Sequence, residues 1–254
     1  MTSNQIQPPS SRPEISEELA AQMSLLEHLE EFRKRLIFAS VAVLITTLLS
    51  FIFAQQLVDL LAYPIGGLEN LESIDVTENI GVFMKVSLTS GIILAMPVIL
   101  YQLIAFIVPG LTPGEKRGLL ISLPAAIGLF LCGVAFTYFI MLPQAIPFLT
   151  DFLGIPTKPR PQTYFAFVAN LILWIGISFE MPLVIGLLAR LGVVTPGFLI
   201  KNARYAIVLI AILAALITPT IDPVNMGIVM APLIILYGIG IILSKIMYRP
   251  RNTP

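Results

Sequence analysis

Charged side chains are scarce in this sequence, where 15 basic and 15 acidic residues make up 12% of 254 residues. Soluble globular proteins carry about 25% charged residues. Because 57% of the residues are hydrophobic and the mean hydropathy is +0.91, a soluble fold would leave many apolar side chains uncovered. The composition predicts an all-α membrane protein with several spans. The zero net charge argues against a nucleic-acid partner, which would require a basic excess.

Cysteine and histidine occur only once each, as Cys132 and His28. A single cysteine excludes an intrachain disulfide, and a single histidine excludes a histidine-rich metal site. The sequence also lacks the GxxxxGK[ST] loop that binds nucleotide phosphates. No apolar stretch carries an Asp pair, a Ser–His or Ser–Lys dyad or a histidine cluster, which argues against an intramembrane protease. We therefore expect no catalytic residues, no cofactor and no metal.

Six apolar stretches follow a polar N-terminal segment, and they cover residues 36–54, 86–108, 119–142, 164–189, 205–217 and 227–243. A helix needs roughly 20 residues to cross about 30 Å of hydrocarbon. The fifth and sixth stretches have only 13 and 17 residues, with a proline-containing turn at 218–223 between them. They fit either a re-entrant hairpin or two short spans that thin the bilayer locally. We favour two short spans, since Arg204 and Lys245 then lie on the same face.

The distribution of lysine and arginine predicts the orientation. With a cytoplasmic N-terminus, the inner segments hold 12 basic residues and the outer segments hold 3, so both termini are predicted inside. We expect residues 1–20 to form a disordered cytoplasmic tail, residues 21–248 a single transmembrane domain and residues 249–254 a second tail. On the outer side, residues 55–63 are predicted to be helical. The five prolines of residues 143–163 predict a stiff, non-helical cap.

The segment before the first span combines an apolar stripe with charges of both signs. At helical spacing, the apolar residues of 25–36 share one side, which predicts a helix along the inner membrane interface. The basic residues 33–35 fit the positive-inside rule. Glu30 and Glu31 do not, because an anionic inner leaflet disfavours acidic residues. Two such residues predict a cationic partner.

Glu115 begins the third helix and has two interpretations. Thr112, Pro113 and Glu115 occupy the N-cap, N1 and N3 positions, so a capping box accounts for the glutamate. Alternatively, Glu115 lies on the same face as Glu31 and offers a second carboxylate. Two carboxylates would bind two guanidinium groups through charge-assisted hydrogen bonds.

Glu180 is the only charged residue within the six apolar stretches. A charge at this depth costs about 2.5–3.5 kcal/mol on insertion scales and indicates a functional residue. Pro182 predicts a kink beside it, and Gln102 and Asn170 are polar residues at depth that could join it. Asp222 precedes Pro223 and is explained as the N-cap of the sixth helix.

Taken together, these motifs resemble the TatC family, which supplies the multispanning component of the twin-arginine protein translocase. The resemblance rests on HLEEFRKR (28–35), MPVILYQ (96–102) with Phe106 and Pro109, EKR (115–117), FEMP (179–182) and ITPTIDP (217–223). It covers roughly residues 22–245 in the family's order.

The resemblance implies a concave, glove-like bundle of six helices with the last two short. It also implies a receptor that binds paired-arginine signal peptides and helps to export folded proteins with the proton-motive force. Glu31 and Glu115 match positions associated with the arginine pair, and the neighbouring candidates for signal binding are Phe106, Arg33 and Glu30. Candidate contacts to the single-span TatA and TatB subunits are Glu180, Gln102 and Asp222. The expected setting is a complex with several copies of the chain, in contact with lipid, in a bacterial plasma membrane or a thylakoid membrane.

A secondary transporter is the main alternative, with Glu180 as its proton-coupling carboxyl. We find no repeat that relates the two halves of the chain, and no other charge inside the apolar stretches for a substrate. Both observations disfavour a transporter for small solutes.

Overall fold

The structure is a computed structural model that describes residues 13–107, 113–151, 157–218 and 223–248, with side chains from residue 26 onward except at 113–117. These parts of the chain are helical and contain no strand. The helices long and apolar enough to cross a membrane cover Leu26–Ile52, Glu78–Ile107, Gly118–Thr150, Pro161–Arg190 and Pro223–Met247. Together with the shorter apolar helix Ala203–Ile217, they confirm the prediction of six spans.

The helices are α1 (Pro13–Ile52), α2 (Ala54–Ala62), α3 (Glu78–Ile107), α4 (Pro113–Phe136), α5 (Leu142–Thr150), α6 (Pro161–Ser178), α7 (Met181–Arg190), α8 (Pro196–Lys201), α9 (Ala203–Ile217) and α10 (Pro223–Met247). Helix α2 confirms the helix predicted after the first span. We call the side that carries the start of α4 and the end of α7 the inner face, since it is the predicted cytoplasmic side. The side that carries α2 and α5 is the outer face.

Helix α6 lies at the centre of the bundle and packs against α3, α4, α9 and α10. Most of its residues are apolar, and more than half of them are buried, as in a helix packed among several neighbours. The large side chains of Phe165, Leu171 and Ile175 are completely buried. A second, smaller cluster between α3 and α4 contains Met96, Leu100, Ala126 and Phe130, with Leu183 of α7 against it.

Helix α1 packs mainly against α3, and most of its apolar side chains remain exposed for lipid. The two backbones approach closely at Gly91, where an added Cβ would lie 2.6 Å from the Cα of Thr47. The Thr46 hydroxyl donates to the Gly91 carbonyl at 2.7 Å. Small residues that let backbones approach are the usual basis of helix pairing in membranes.

The non-helical cap predicted for residues 143–163 is wrong for its first part, because α5 covers Leu142–Thr150. The π-helical turn Thr137–Met141 joins α4 to α5, so Pro143 removes a hydrogen bond from within a continuous helix, Gly118–Thr150. Pro147 lies inside α5, and prolines also occur inside α3, α4 and α10. In membranes, neighbouring groups compensate for the hydrogen bond that proline removes, so its presence is a weak sign of a loop.

Two helices begin or end beyond their predicted limits. Helix α10 has 25 residues, whereas its apolar stretch has 17, so the sixth span is longer than predicted. The fifth span is short, as predicted, with 15 residues in α9. Helix α1 begins at Pro13, so residues 13–20 are helical rather than part of a disordered tail. Proline is favoured at a first helical position, and the Glu, Leu, Ala and Gln residues that follow are good helix formers.

Side chains from two other helices hold the end of α2 on the outer face. Tyr164 of α6 donates its hydroxyl hydrogen to the carbonyl of Leu61 at 2.8 Å. Tyr138 donates to the carbonyl of Leu60, also at 2.8 Å. The last carbonyls of a helix lack partners within it, so Tyr164 satisfies the Leu61 carbonyl, whereas Tyr138 adds a second donor to the Leu60 carbonyl, which already accepts from the backbone N–H of Tyr63.

An ion pair joins two loops that are distant in sequence. Glu78, at the start of α3, is 2% exposed and pairs with the guanidinium of Arg160, just before α6. The same carboxylate accepts hydrogen bonds from the Ser73 hydroxyl at 3.1 Å and the Ile74 backbone N–H at 3.2 Å. The first and second outer loops are therefore fastened together at the outer face.

Candidate functional site

Three of the predicted site residues meet at the inner face, between α1 and α3. Glu31 Oε1 accepts a hydrogen bond from Nε of Arg35 at 2.7 Å. Nη1 of the same guanidinium donates to Oε1 of Gln102 at 3.1 Å. The ring of Phe106 lies 4.5 Å from that of His28 and 5.5 Å from that of Phe32, between centroids.

Helical spacing explains which residues of the signature enter this group. His28, Phe32 and Arg35 recur every three or four positions, so they lie on the side of α1 that faces α3. Glu31 belongs to the same side. Glu30 and Arg33 are exposed and lie elsewhere on the helix, so the structure does not bring them to Phe106 and Gln102.

An apolar groove of about 150 Å³ lies beside the carboxylate. Its lining residues are Phe32, Arg35, Leu36, Ala39, Ile99, Gln102, Leu103 and Phe106. The Glu31 side chain is 30% exposed and that of Arg35 is 28% exposed, so both remain accessible at the edge of the groove. The carboxylate of Glu31, the guanidinium of Arg35 and an apolar surface therefore lie side by side between α1 and α3.

Glu115, the second predicted carboxylate, lies in a segment for which the structure describes the backbone but not the side chains. Glu115 lies in the first turn of α4, but its side chain is outside the described residues. The distance between the carboxylates of Glu31 and Glu115 is therefore untested. Arg190, at the end of α7, packs its guanidinium against Gly118, where an added Cβ would lie 2.7 Å from its Cζ. Gly118 is three residues after Glu115, about one helical turn.

Glu180 lies at a break in the fourth span, between the end of α6 at Ser178 and the start of α7 at Met181. The break confirms the predicted kink beside Pro182. Glu180 is only 8% exposed, and in the part of the chain that the structure describes its Oε1 has no hydrogen-bond partner. A buried polar atom without a partner is costly, which marks this atom as a candidate contact for a donor outside the chain.

Close helix packing brings α4 against this break. An added Cβ on Gly133 would lie 2.9 Å from the Cα of Gly176, so the two helices touch through their glycines. The backbone of Phe130, one turn earlier in α4, lies against the Glu180 carboxyl. The carboxyl is thus held between α4 and α7.

The structure separates the other polar residues at depth from Glu180. Gln102 bonds to Arg35 and so belongs to the inner-face group rather than to the surroundings of Glu180. Asn170 precedes Glu180 by ten residues of the fourth span, about 15 Å along a helix. Asp222 lies outside the described residues, so both its predicted N-cap and its predicted contact remain untested.

The sequence analysis missed Arg35 and His28 as members of the inner-face group. The sequence analysis interpreted Arg35 only through the positive-inside rule, and it considered His28 only as a possible metal ligand. Their spacing of four residues from Glu31 and Phe32 is the signal that would have found them. The contacts to Gln102 and Phe106 carry no such signal, because α3 is far from α1 in sequence.

Comparisons with known proteins agree on one family. The family model described as "Sec-independent protein translocase protein (TatC)" matches residues 27–232. TatC of Aquifex aeolicus is 39% identical over 241 residues, which cover 91% of this chain and 98% of the relative. TatCy of Bacillus subtilis is 38% identical over 232 residues, 90% of this chain and 91% of the relative.

A solved structure gives the same result. The crystal structure of the twin-arginine translocase receptor TatC superposes with a TM-score of 0.79 at 38% identity, over 87% of this chain and 100% of that chain. The likeness confirms the predicted glove-like bundle of six helices. With the family model and the relatives, it establishes that the chain belongs to the TatC family and is a multi-pass membrane protein of the twin-arginine protein translocase.

Proposed function

We propose that this chain is the receptor that binds paired-arginine signal peptides at the inner face of the membrane. The observation that carries the proposal is the accessible carboxylate of Glu31 beside an apolar groove. Carboxylates bind guanidinium groups through short, charge-assisted and often bidentate hydrogen bonds. An apolar surface next to such a carboxylate suits a peptide whose arginines precede an apolar segment.

The other candidate residues act in this proposal either by direct contact with the peptide or through their charge at the surface. Glu115 supplies the second carboxylate, and the Phe106 ring forms the apolar wall next to Glu31. Arg33 and Glu30 are exposed, so they contribute through the field at the surface rather than through the groove. Removing the Glu30 charge should therefore weaken peptide binding less than removing Glu31, whereas removing the positive charge of Arg33 should, through the field, strengthen it slightly.

The test measures binding of a fluorescent peptide with paired arginines to the purified full-length chain in lipid nanodiscs. We expect Glu31→Gln and Glu115→Gln each to weaken binding, and the double variant to reduce it to the level of a peptide with both arginines replaced by glutamine. Glu27→Gln is the matched control, because Glu27 is an exposed acid one turn earlier in α1. Unchanged binding in an inserted double variant would rule out the carboxylate pair as the receptor site.

We further propose that Glu180 contacts the single-span TatA- and TatB-type subunits. Its buried Oε1 without a partner supports this role, since a polar side chain of another helix would satisfy it. We expect Glu180→Ala to leave signal-peptide binding nearly intact and to abolish both crosslinking to single-span subunits and transport of folded cargo. Normal transport by this variant would make Glu180 a structural residue.

We also propose that transport is driven by the proton-motive force, and the lack of a GxxxxGK[ST] loop in the sequence is consistent with this. The measurement is uptake of a folded, paired-arginine substrate into inverted membrane vesicles that contain the complete translocase. A protonophore should stop uptake, and removal of ATP under an imposed proton gradient should not. Uptake that survives the protonophore would contradict this mechanism.

A further inference from the structure

The inner-face group already contains a guanidinium in contact with Glu31. Arg35 donates from Nε to Glu31 Oε1 at 2.7 Å, a short, charge-assisted hydrogen bond within one helix. The same guanidinium donates from Nη1 to Gln102 Oε1 on α3 at 3.1 Å. A contact with two helices fixes Arg35 more firmly than the pair within α1 alone.

Any ligand cation that binds Glu31 must therefore compete with Arg35 or share the carboxylate with it. Arg35 uses Nε and engages Oε1, whereas a guanidinium from another chain would bind best through two parallel hydrogen bonds to both oxygens. Such a bidentate contact requires Arg35 to leave Oε1. Sharing the carboxylate would instead place two positive charges side by side at a half-buried site.

We propose that Arg35 is an internal competitor for Glu31, and that every ligand cation must displace it from Oε1 in order to bind. This inference rests on the proposed function of Glu31 as a signal-peptide contact. An incoming arginine replaces one charge-assisted hydrogen bond by two, so exchange is favourable. An incoming lysine is a point charge without the planar fork, and it gains little over the arginine that it displaces.

The location of Arg35 supports exchange rather than permanent structure. Its side chain is 28% exposed and lines the apolar groove, so it has open space into which it can turn. Gln102 is the residue that holds the guanidinium from the opposite helix. Gln102 is thus a positioning residue, which acts on Glu31 only through Arg35.

The test compares two fluorescent peptides, identical except that one carries paired arginines and the other paired lysines, on the full-length chain in nanodiscs. In Arg35→Gln we expect both peptides to bind more tightly. Because each ligand displaces the same competitor, both dissociation constants should fall by a similar factor, on the order of tenfold, the change expected from one charged hydrogen bond. Lys34→Gln is the control, since it removes the same charge from the neighbouring exposed position.

A second variant keeps Arg35 and loosens it. Gln102→Leu removes the acceptor on α3, so both peptides should again bind more tightly, by a smaller factor than in Arg35→Gln. Both variants must elute as folded protein in detergent. Unchanged or weaker binding of the arginine peptide in Arg35→Gln, or a gain of the same size in Lys34→Gln, would overturn the inference.

The proposed function and this inference fail in different ways. If the unaltered chain does not bind the arginine peptide, or if Glu31→Gln binds it normally, the receptor site at Glu31 is wrong and the inference fails with it. If the unaltered chain binds and Glu31→Gln does not, but Arg35→Gln binds the arginine peptide no more tightly than the unaltered chain, only the competition by Arg35 is overturned.

Discussion

Replacing Tyr164 by phenylalanine removes one hydroxyl group from the outer face and leaves the ring in place. The hydroxyl donates to the Leu61 carbonyl at 2.8 Å, and Tyr164 and Leu61 are 4% and 8% exposed. Water cannot readily replace a donor at so buried a position. A buried carbonyl that loses its partner costs about 1–3 kcal/mol, so we expect Tyr164→Phe to destabilise the protein by about 2 kcal/mol.

Tyr138→Phe is a matched control in which the same chemical change should cost less. Tyr138 donates to the carbonyl of Leu60 at 2.8 Å, but this contact is exposed. The Leu60 carbonyl also accepts from the backbone N–H of Tyr63, which caps the end of α2. The carbonyl therefore keeps a partner and contact with solvent, and we expect a cost of about 0.5 kcal/mol, the low end for a hydrogen bond.

The two variants can be compared by thermal unfolding in detergent micelles, followed by far-ultraviolet circular dichroism. For a chain of this size, 1 kcal/mol shifts the melting temperature by about 2–4 °C. Tyr164→Phe should therefore melt several degrees below Tyr138→Phe. If the two variants melt together, or if Tyr138→Phe is the less stable one, burial does not determine the strength of these contacts and the reasoning is wrong.

Three further predictions concern helix packing, the outer ion pair and the orientation. Gly91→Ala should lower the melting temperature, because the new Cβ meets the backbone of α1, whereas Gly81→Ala in the same helix has open space and should not. Arg160→Gln should lower the melting temperature more than Glu78→Gln. The first variant leaves the buried Glu78 carboxylate without its cation, whereas the Arg160 guanidinium left by the second variant is half exposed. The reverse order would refute this account. A cysteine at Thr157 should react with a membrane-impermeant thiol reagent added from outside intact cells, and protection there would invert the predicted orientation.

The ends of the helices were only partly predictable from the sequence. The break beside Glu180 was predictable, because Pro182 acts on the hydrogen bonds of its own helix. The helix α5 was not, since whether a proline ends a helix depends on neighbours that compensate for the lost bond. The length of α10 was underestimated for a similar reason, because helix formation continues into polar residues on both sides of an apolar stretch.

The candidate site was only partly predictable. Glu31 stood out because a carboxylate is unexpected beside an anionic leaflet, and Glu180 because a charge is unexpected at depth. Arg35 carried no such anomaly, since a basic residue at the inner face is ordinary. Its spacing from Glu31 indicates a pair within α1, but only the structure shows its hydrogen bond to Gln102, 67 residues away.

The sequence by itself determined that this is a six-span membrane protein, which end of each span is expected inside, and which acids are out of place. These properties follow from composition, length and local charge, all of which are read along one chain. Only the tertiary structure decided which distant groups meet, such as Arg35 with Gln102 and Arg160 with Glu78, 82 residues apart. Such pairs depend on how each helix is rotated and where it crosses its neighbours, and that is set by side-chain packing across the whole bundle.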